Sequence, residues 1–304
     1  MNTIVTGASG FVGRRLCKNL LEYGWNVIGV FNQQRPPEDL LNHSLFQPIQ
    51  RNLSVSGFSK AEVDGVDMLF HLAGTISIDD GEDVGAFLKN NEMASLNVFE
   101  SCMPYIKRVV YASSQVVYGD PNSLTVDENF PLIGYNTPYA CSKVNCENWL
   151  RWFQMKYHSI TYVLRLTGFI EYSGSVISYF ISRAMANQPI EVFSNGNICR
   201  DYLSLNDCIN AFILVAKLEN EKPGYYEFNI GSGQAVKTGD IAKLVCNLLG
   251  SDSNIIPIST PAPRENFVFN IEKARNELKY SPASLKDNIV SYIMSLKNDY
   301  SEMG

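Results

Sequence analysis

Histidine is scarce in this sequence. His43, His71 and His158 are the only three in 304 residues, and so few argue against a histidine-based metal site or a serine–histidine triad. The seven cysteines, Cys17, Cys102, Cys141, Cys146, Cys199, Cys208 and Cys246, include no C-x-x-C pair and no neighbouring histidine. An odd number at such spacings fits reduced, buried thiols rather than a disulfide framework or a zinc site, so no metal is expected. There is no run of Lys and Arg, and the formal net charge is -6. Neutralising nucleic-acid phosphates needs a dense basic surface, so a nucleic-acid partner is excluded. No apolar run approaches the ~20 residues that span a bilayer, and no basic segment followed by an apolar one opens the chain. A cytoplasmic protein without membrane contact is therefore expected, and internal repeats and low-complexity tracts are lacking as well.

What the sequence does have describes a folded protein: 45% hydrophobic and 18% charged residues over a length that suits one large domain or two joined lobes. The β-branched run Thr3-Ile4-Val5-Thr6 predicts a strand almost at the start. It leads straight into Gly7-Ala8-Ser9-Gly10-Phe11-Val12-Gly13, after which Val12, Leu16 and Leu20 fall on one helical stripe. Strand, glycine-rich turn and helix together predict a dinucleotide site. Gly7 permits the turn, Gly10 lets the backbone approach a pyrophosphate, Gly13 lets helix and strand pack closely, and Ser9, Phe11 and Val12 line the approach. The second strand, Trp25 to Phe31, ends where an adenosine ribose is expected. The residues there are Asn32, Gln33, Gln34 and Arg35, with Arg14 at the start of the first helix. A neutral amide beside an arginine tolerates a 2′-phosphate, which tilts the expected cofactor towards NADP over NAD.

From Pro36 to Gly65 the sequence is loop-rich apart from an apolar stretch before Arg51-Asn52-Leu53. Val66 to Gly74 then reads as a buried strand, whose Leu72, Ala73 and Gly74 leave room for a cofactor at its carboxyl end. His71 in this run is expected to be a core histidine. A helix is predicted over 87–102 and a strand over 108–112, the latter ending in Ser113-Ser114-Gln115-Val116-Val117-Tyr118-Gly119. Thr137-Pro138 reads as an N-cap and first helical residue, which puts Tyr139 and Lys143 on one helix face a turn apart. An ammonium beside a phenol favours the phenolate, and such a tyrosine can exchange a proton with an alcohol oxygen near neutral pH.

In this order and spacing, the glycine turn, the His71-Leu72-Ala73 strand end, Ser113-Ser114 with Tyr118-Gly119, and Tyr139-Cys141-Ser142-Lys143 resemble the extended short-chain dehydrogenase/reductases that act on nucleotide sugars. The resemblance covers nearly the whole chain. It implies an α/β fold: a doubly wound parallel (Rossmann) sheet, 1–167 with about 197–224 returning, and a smaller mixed α/β lobe, 168–196 and 225–304, that binds a nucleotide-diphosphate sugar. It assigns Tyr139 as acid/base, Lys143 to the nicotinamide ribose, with lowering of the Tyr139 pKa, and Ser114 to the reacting sugar oxygen. Gln115 and Thr167 fall at substrate-contact positions, Thr167 where family members often carry asparagine. Arg200, for which Asp207 is a competing partner, and Arg264 match two diphosphate-binding arginines. Gln115 and Val116 replace the Asp-Glu pair of the 4,6-dehydratases and cannot do its chemistry. Two reactions at C4 stay open, an NADPH-dependent reduction of a 4-keto-6-deoxyhexose, slightly preferred, and a 4-epimerisation with tightly held NAD, and a non-catalytic dinucleotide sensor is the third reading. The resemblance also implies a homodimer through the helices at about 85–103 and 139–157.

Overall fold

The computed structural model describes residues 1–76, 83–121, 125–219, 222–260 and 267–302. β1 (Asn2–Thr6), β2 (Asn26–Phe31), β3 (Phe46–Gln50), β4 (Met68–His71), β5 (Arg108–Ser114), β6 (Ile160–Leu166) and β7 (Gly224–Ile230) form one sheet in the order β7-β6-β5-β4-β1-β2-β3. The pairs β1–β2, β1–β4, β2–β3, β4–β5 and β5–β6 are all parallel. The order reverses at β1, with β2 on one side and β4 on the other, and that is the switch point at which doubly wound sheets bind ligands. The sequences explain the strands: every residue of β4 and of β6 is buried, the near-continuous apolar reading of a parallel sheet covered on both faces.

β3 is the apolar stretch before Arg51, which the sequence reading did not assign as a strand. Pro48 argues against a strand, because it cannot donate to a ladder, but β3 is at the sheet edge, where proline is tolerated. The helix predicted over 87–102 begins earlier and is broken in character: Val84–Phe87 is α-helical, Leu88–Met93 is a π-helical turn, and Ala94–Cys102 is α-helical again. The helix Pro138–Tyr157 is continuous. Thr137 Oγ1 accepts from the Ala140 amide at 3.1 Å with Pro138 in the first turn, so both N-terminal signals act as expected. Val98, Phe99, Cys102, Val109, Leu150 and Val163 are part of the core beside these elements.

Contacts group the chain into two compact units. The first comprises Met1–Gly119, Phe130–Leu166 and Ile209–Phe228, the second Asp120–Asn129, Thr167–Cys208 and Asn229–Gly304. In this division the later segment grouped with the first unit is Ile209–Phe228, against the expected 197–224. Before it, Cys199–Arg200 pairs with Val236–Lys237, and Tyr202–Leu203 with Gly168–Phe169, all in the second unit. That unit is a set of two-stranded sheets with the helices Val176–Met185 and Thr238–Leu249, around a core that includes Ile177, Phe180, Ile190, Ile241 and Ile289.

Candidate active site

Glycine conformation starts the site. Gly7 has φ 72°, outside the range that suits an L side chain, and the Gly10 amide closes the turn onto the Gly7 carbonyl at 2.9 Å. A Cβ on Gly13 would lie 2.0 Å from that same carbonyl, so the helix Phe11–Glu22 can approach β1 only with glycine there. The turn opens onto a cavity of about 490 Å³. Its wall includes Gly7, Ser9 and Gly10 from the turn, Asn32 and Gln33 after β2, Asn52 and Leu53 after β3, and Ala73 and Gly74 after β4. A side-chain-free cradle next to a helix N-terminus suits a pyrophosphate, and the elongated set of strand ends suits a dinucleotide. Phe11, Val12, Gly13 and Leu72 support this wall without lining it among the described residues.

Arg35 does not line the cavity. It is 3.9 Å from Glu38, with both side chains about 70% exposed (70% and 71%), and Arg14 is likewise outside the lining. The lining cations among the described residues are Arg51 and Lys89. Arg51 is already engaged: Nη2 donates to Glu62 at 2.5 Å and Nη1 to the Gly57 carbonyl at 2.8 Å. Arg35, the arginine expected for a 2′-phosphate, thus faces solvent rather than the cavity.

Lys143 is 7% exposed. Its Nζ donates to the Ala112 carbonyl at 2.9 Å and to Tyr111 Oη at 3.3 Å, and stands 4.9 Å from the centroid of that ring. Burial pulls its pKa below 10.5, against the opposing pull of Cys146 and Glu147. A Cβ on Gly74 would come within 3.9 Å of Nζ, so the lysine reaches the cavity wall at the end of β4. Tyr139, one turn before it, packs its ring on Phe87 at 5.9 Å. Of the two serines ending β5, Ser113 is buried and donates to Glu147 Oε1 at 2.5 Å. Glu147 in turn holds Arg165, through Nε at 3.1 Å and Nη2 at 2.7 Å. Ser113 is thus bound into the core, whereas Ser114 is half-buried and accepts a long 3.4 Å bond from the Val116 amide at the 3₁₀ turn Gln115–Tyr118.

A sequence model of the NAD dependent epimerase/dehydratase family matches residues 3–231. The chain belongs to this family. It is 27% identical over 316 residues to a putative UDP-glucose 4-epimerase of Methanocaldococcus jannaschii, covering 97% of this chain and 98% of that one. The fold is that of two solved structures. A UDP-glucose 4-epimerase of Thermotoga maritima with UDP-glucose is similar at TM-score 0.85 and 22% identity, over 99% of this chain and 100% of that one. A UDP-glucuronic acid 4-epimerase of Bacillus cereus with NAD is similar at TM-score 0.83 and 24% identity, over 97% and 99%. The chain is accordingly an enzyme of the extended short-chain dehydrogenase/reductase type.

One residue of this family member escaped the sequence reading. Asn91, in the π-helical turn, accepts from the Thr75 amide at 2.6 Å and donates to Ser142 Oγ at 2.9 Å. It links the stretch after Gly74 to the helix that carries Tyr139 and Lys143. A polar residue on the buried face of a predicted helix is the only signal it gave. His71, expected in the core, is buried there. Thr6 Oγ1 accepts from the Leu72 and Ala73 amides at 3.1 and 3.2 Å, so its own proton goes to His71 Nδ1 at 2.7 Å. Nε2 then donates to Ser95 Oγ at 2.9 Å, which fixes a neutral ring. Burial, with Lys143 nearby, lowers its pKa to about 3. His71 is thus a core histidine, and through Thr6 it also holds the strand end that lines the cavity.

In the second unit, Arg200 is half-buried on its short strand. Asp207 is not its partner: that carboxylate accepts from Ser204 Oγ, the Ala283 amide and Asn288 Nδ2 at 2.7, 3.1 and 2.8 Å. Thr167 is 4% exposed, and its buried hydroxyl has no hydrogen-bond partner among the described residues. Arg264 lies outside the described residues. Among the described residues no cluster suits a metal, and no helix is long and apolar enough to cross a membrane.

Proposed function

We propose that this enzyme is a nucleotide-diphosphate-sugar 4-epimerase that works with NAD. The observation that carries the choice of epimerase over reductase is the adenosine end of the cavity, where Arg51 is neutralised by Glu62 and Arg35 faces away. The preference for NADPH, and with it for a reductase, drew on Asn32 with Arg35 and on Thr167 in place of an asparagine, and of these the arginine is the part that would hold a 2′-phosphate. The full-length relative described as a putative UDP-glucose 4-epimerase supports the same side. Gln115 and Val116 continue to speak against a dehydratase, since neither can carry a proton to or from a sugar carbon.

When bound, the nicotinamide supplies hydride acceptance and return at sugar C4. Tyr139 takes the proton from the C4 hydroxyl as the carbon is oxidised and gives it back as the ketone is reduced. Lys143 holds positive charge beneath the ribose end and favours the tyrosinate, its ammonium kept in place by the Ala112 carbonyl and Tyr111. Ser114 donates to the same sugar oxygen. Arg200 and Thr167 are assigned to the nucleotide sugar, Arg200 to its diphosphate. A homodimer is in keeping with Trp149, Trp152 and Met155 exposed on one of the helices named for it and Leu88 and Met93 on the other.

An epimerase must keep its cofactor through both half-reactions. The purified protein is therefore expected to carry dinucleotide that survives dialysis, visible by absorbance after denaturation, and to interconvert UDP-glucose and UDP-galactose. Tyr139→Phe should lower turnover by about 10²–10⁴-fold with dinucleotide still bound. Cofactor-free protein that binds NADPH better than NADH, and reduces a 4-keto sugar nucleotide, would turn the assignment back to a reductase.

A further inference from the structure

We propose that Glu62 determines which dinucleotide this protein accepts, by keeping Arg51 from serving as a ligand for a 2′-phosphate. The inference rests on the cofactor cavity described above. Arg51 begins where β2 ends: its amide donates to the Phe31 carbonyl at 2.8 Å, and the preceding Gln50 side chain donates to the Asn32 carbonyl at 3.0 Å. Arg51 thus shares the wall with Asn32, Gln33 and Gln34, where the ribose of the adenosine is expected. An arginine there is the residue type that would hold a 2′-phosphate in a two-pronged grip.

In this protein the guanidinium is not available for that grip. Glu62 accepts from both Nη1 and Nη2, at 3.3 and 2.5 Å, Gly57 accepts from Nη1, and the group lies 5.0 Å from the centre of the Phe58 ring. Glu62 is itself fixed. The Ser59 amide and hydroxyl donate to its Oε2 at 2.8 and 2.9 Å, closing a capping box on the short helix Lys60–Val63. The bond from Arg51 is the main cause that brings its carboxyl down to about 2, so it stays ionised throughout the physiological range. A 2′-phosphate arriving here meets a matched cation and a standing anion, whereas a 2′-hydroxyl meets only the neutral amides around Asn32. Glutamine closes a capping box as glutamate does, so Glu62→Gln removes the charge and keeps the local fold.

The test is calorimetric titration of the full-length protein, stripped of bound dinucleotide, with NAD and with NADP. The wild type is expected to prefer NAD. Glu62→Gln should tighten NADP binding about tenfold and move NAD far less, since it frees one bidentate partner for a phosphate. The Arg51→Ala/Glu62→Gln double variant should lose that gain, and the salt dependence of NADP binding should steepen only in Glu62→Gln. If Glu62→Gln does not fold, Glu62→Ala tests the same shift. An unchanged NADP-to-NAD ratio, or a gain that persists without Arg51, overturns the role of Glu62 and leaves the dinucleotide site standing. Failure of the wild type to bind either dinucleotide overturns the reading of the cavity itself.

Discussion

Arg165–Glu147 and Arg51–Glu62 are the same chemical pair in opposite surroundings. The first is 2% exposed on both sides, and every face of it is used: Ser113 donates to Glu147, and Tyr118 accepts from Arg165 Nη1 at 2.8 Å. The second, at 19% and 30% exposure, borders the cofactor cavity. A charge taken out of water must keep its partner, so the inner pair is fixed into the support of β5 and β6. A charge still in contact with water can lose its partner by substitution at small cost to the fold, so only at the outer pair can a change of partner alter ligand choice and leave the protein folded.

Breaking the inner pair should have the largest effect. Arg165→Ala strands the Glu147 carboxylate in the core and is expected to cost about 3–5 kcal/mol in urea unfolding, whereas Arg165→Met with Glu147→Leu should recover most of it. A single variant as mild as a surface change would erase the distinction. His71 is an intermediate case, a buried polar group satisfied without charge. His71→Asn should cost about 1–3 kcal/mol by leaving Thr6 or Ser95 short of a partner. It should also change the acid response. The unfolded ring binds a proton below 6.5 and the folded ring only below about 3, so the folded protein loses stability as pH falls through that window. His71→Asn should flatten the slope there. Glu62 works in a lower window: its contribution is whole above 4.5 and is lost as pH falls towards about 2. Arg51→Ala should have the smallest effect on folding, about 1 kcal/mol or less, measured in the same denaturant series. A larger loss would mean that the outer pair is structural after all.

The parts of the site legible in the sequence were those set by local rules. Gly7, Gly10 and Gly13 announce themselves because a positive φ and a close backbone approach demand glycine at fixed spacing. Thr137 and Pro138 predict the start of the helix that sets Tyr139 and Lys143 a turn apart. β3 was missed because Pro48 reads as a breaker unless the strand is known to be at an edge. Asn91 was missed because a π-helical turn has no periodicity of its own, and Arg35 was overrated because proximity in sequence says nothing of the direction a loop side chain takes.

By itself the sequence determined the sheet-and-turn framework and the helix that carries Tyr139 and Lys143, since backbone sterics, capping and apolar runs act over a few residues. The tertiary structure alone decided which of two adjacent serines is bound into the core, which arginine borders the cavity at the glycine turn, and whom that arginine holds. Those outcomes depend on partners brought together from distant segments: Ser113 is bound by Glu147, 34 residues away, and Arg51 by Glu62, 11 residues away and across a turn. Charge and hydrogen-bond pairing are settled by distance in space, which no local pattern encodes.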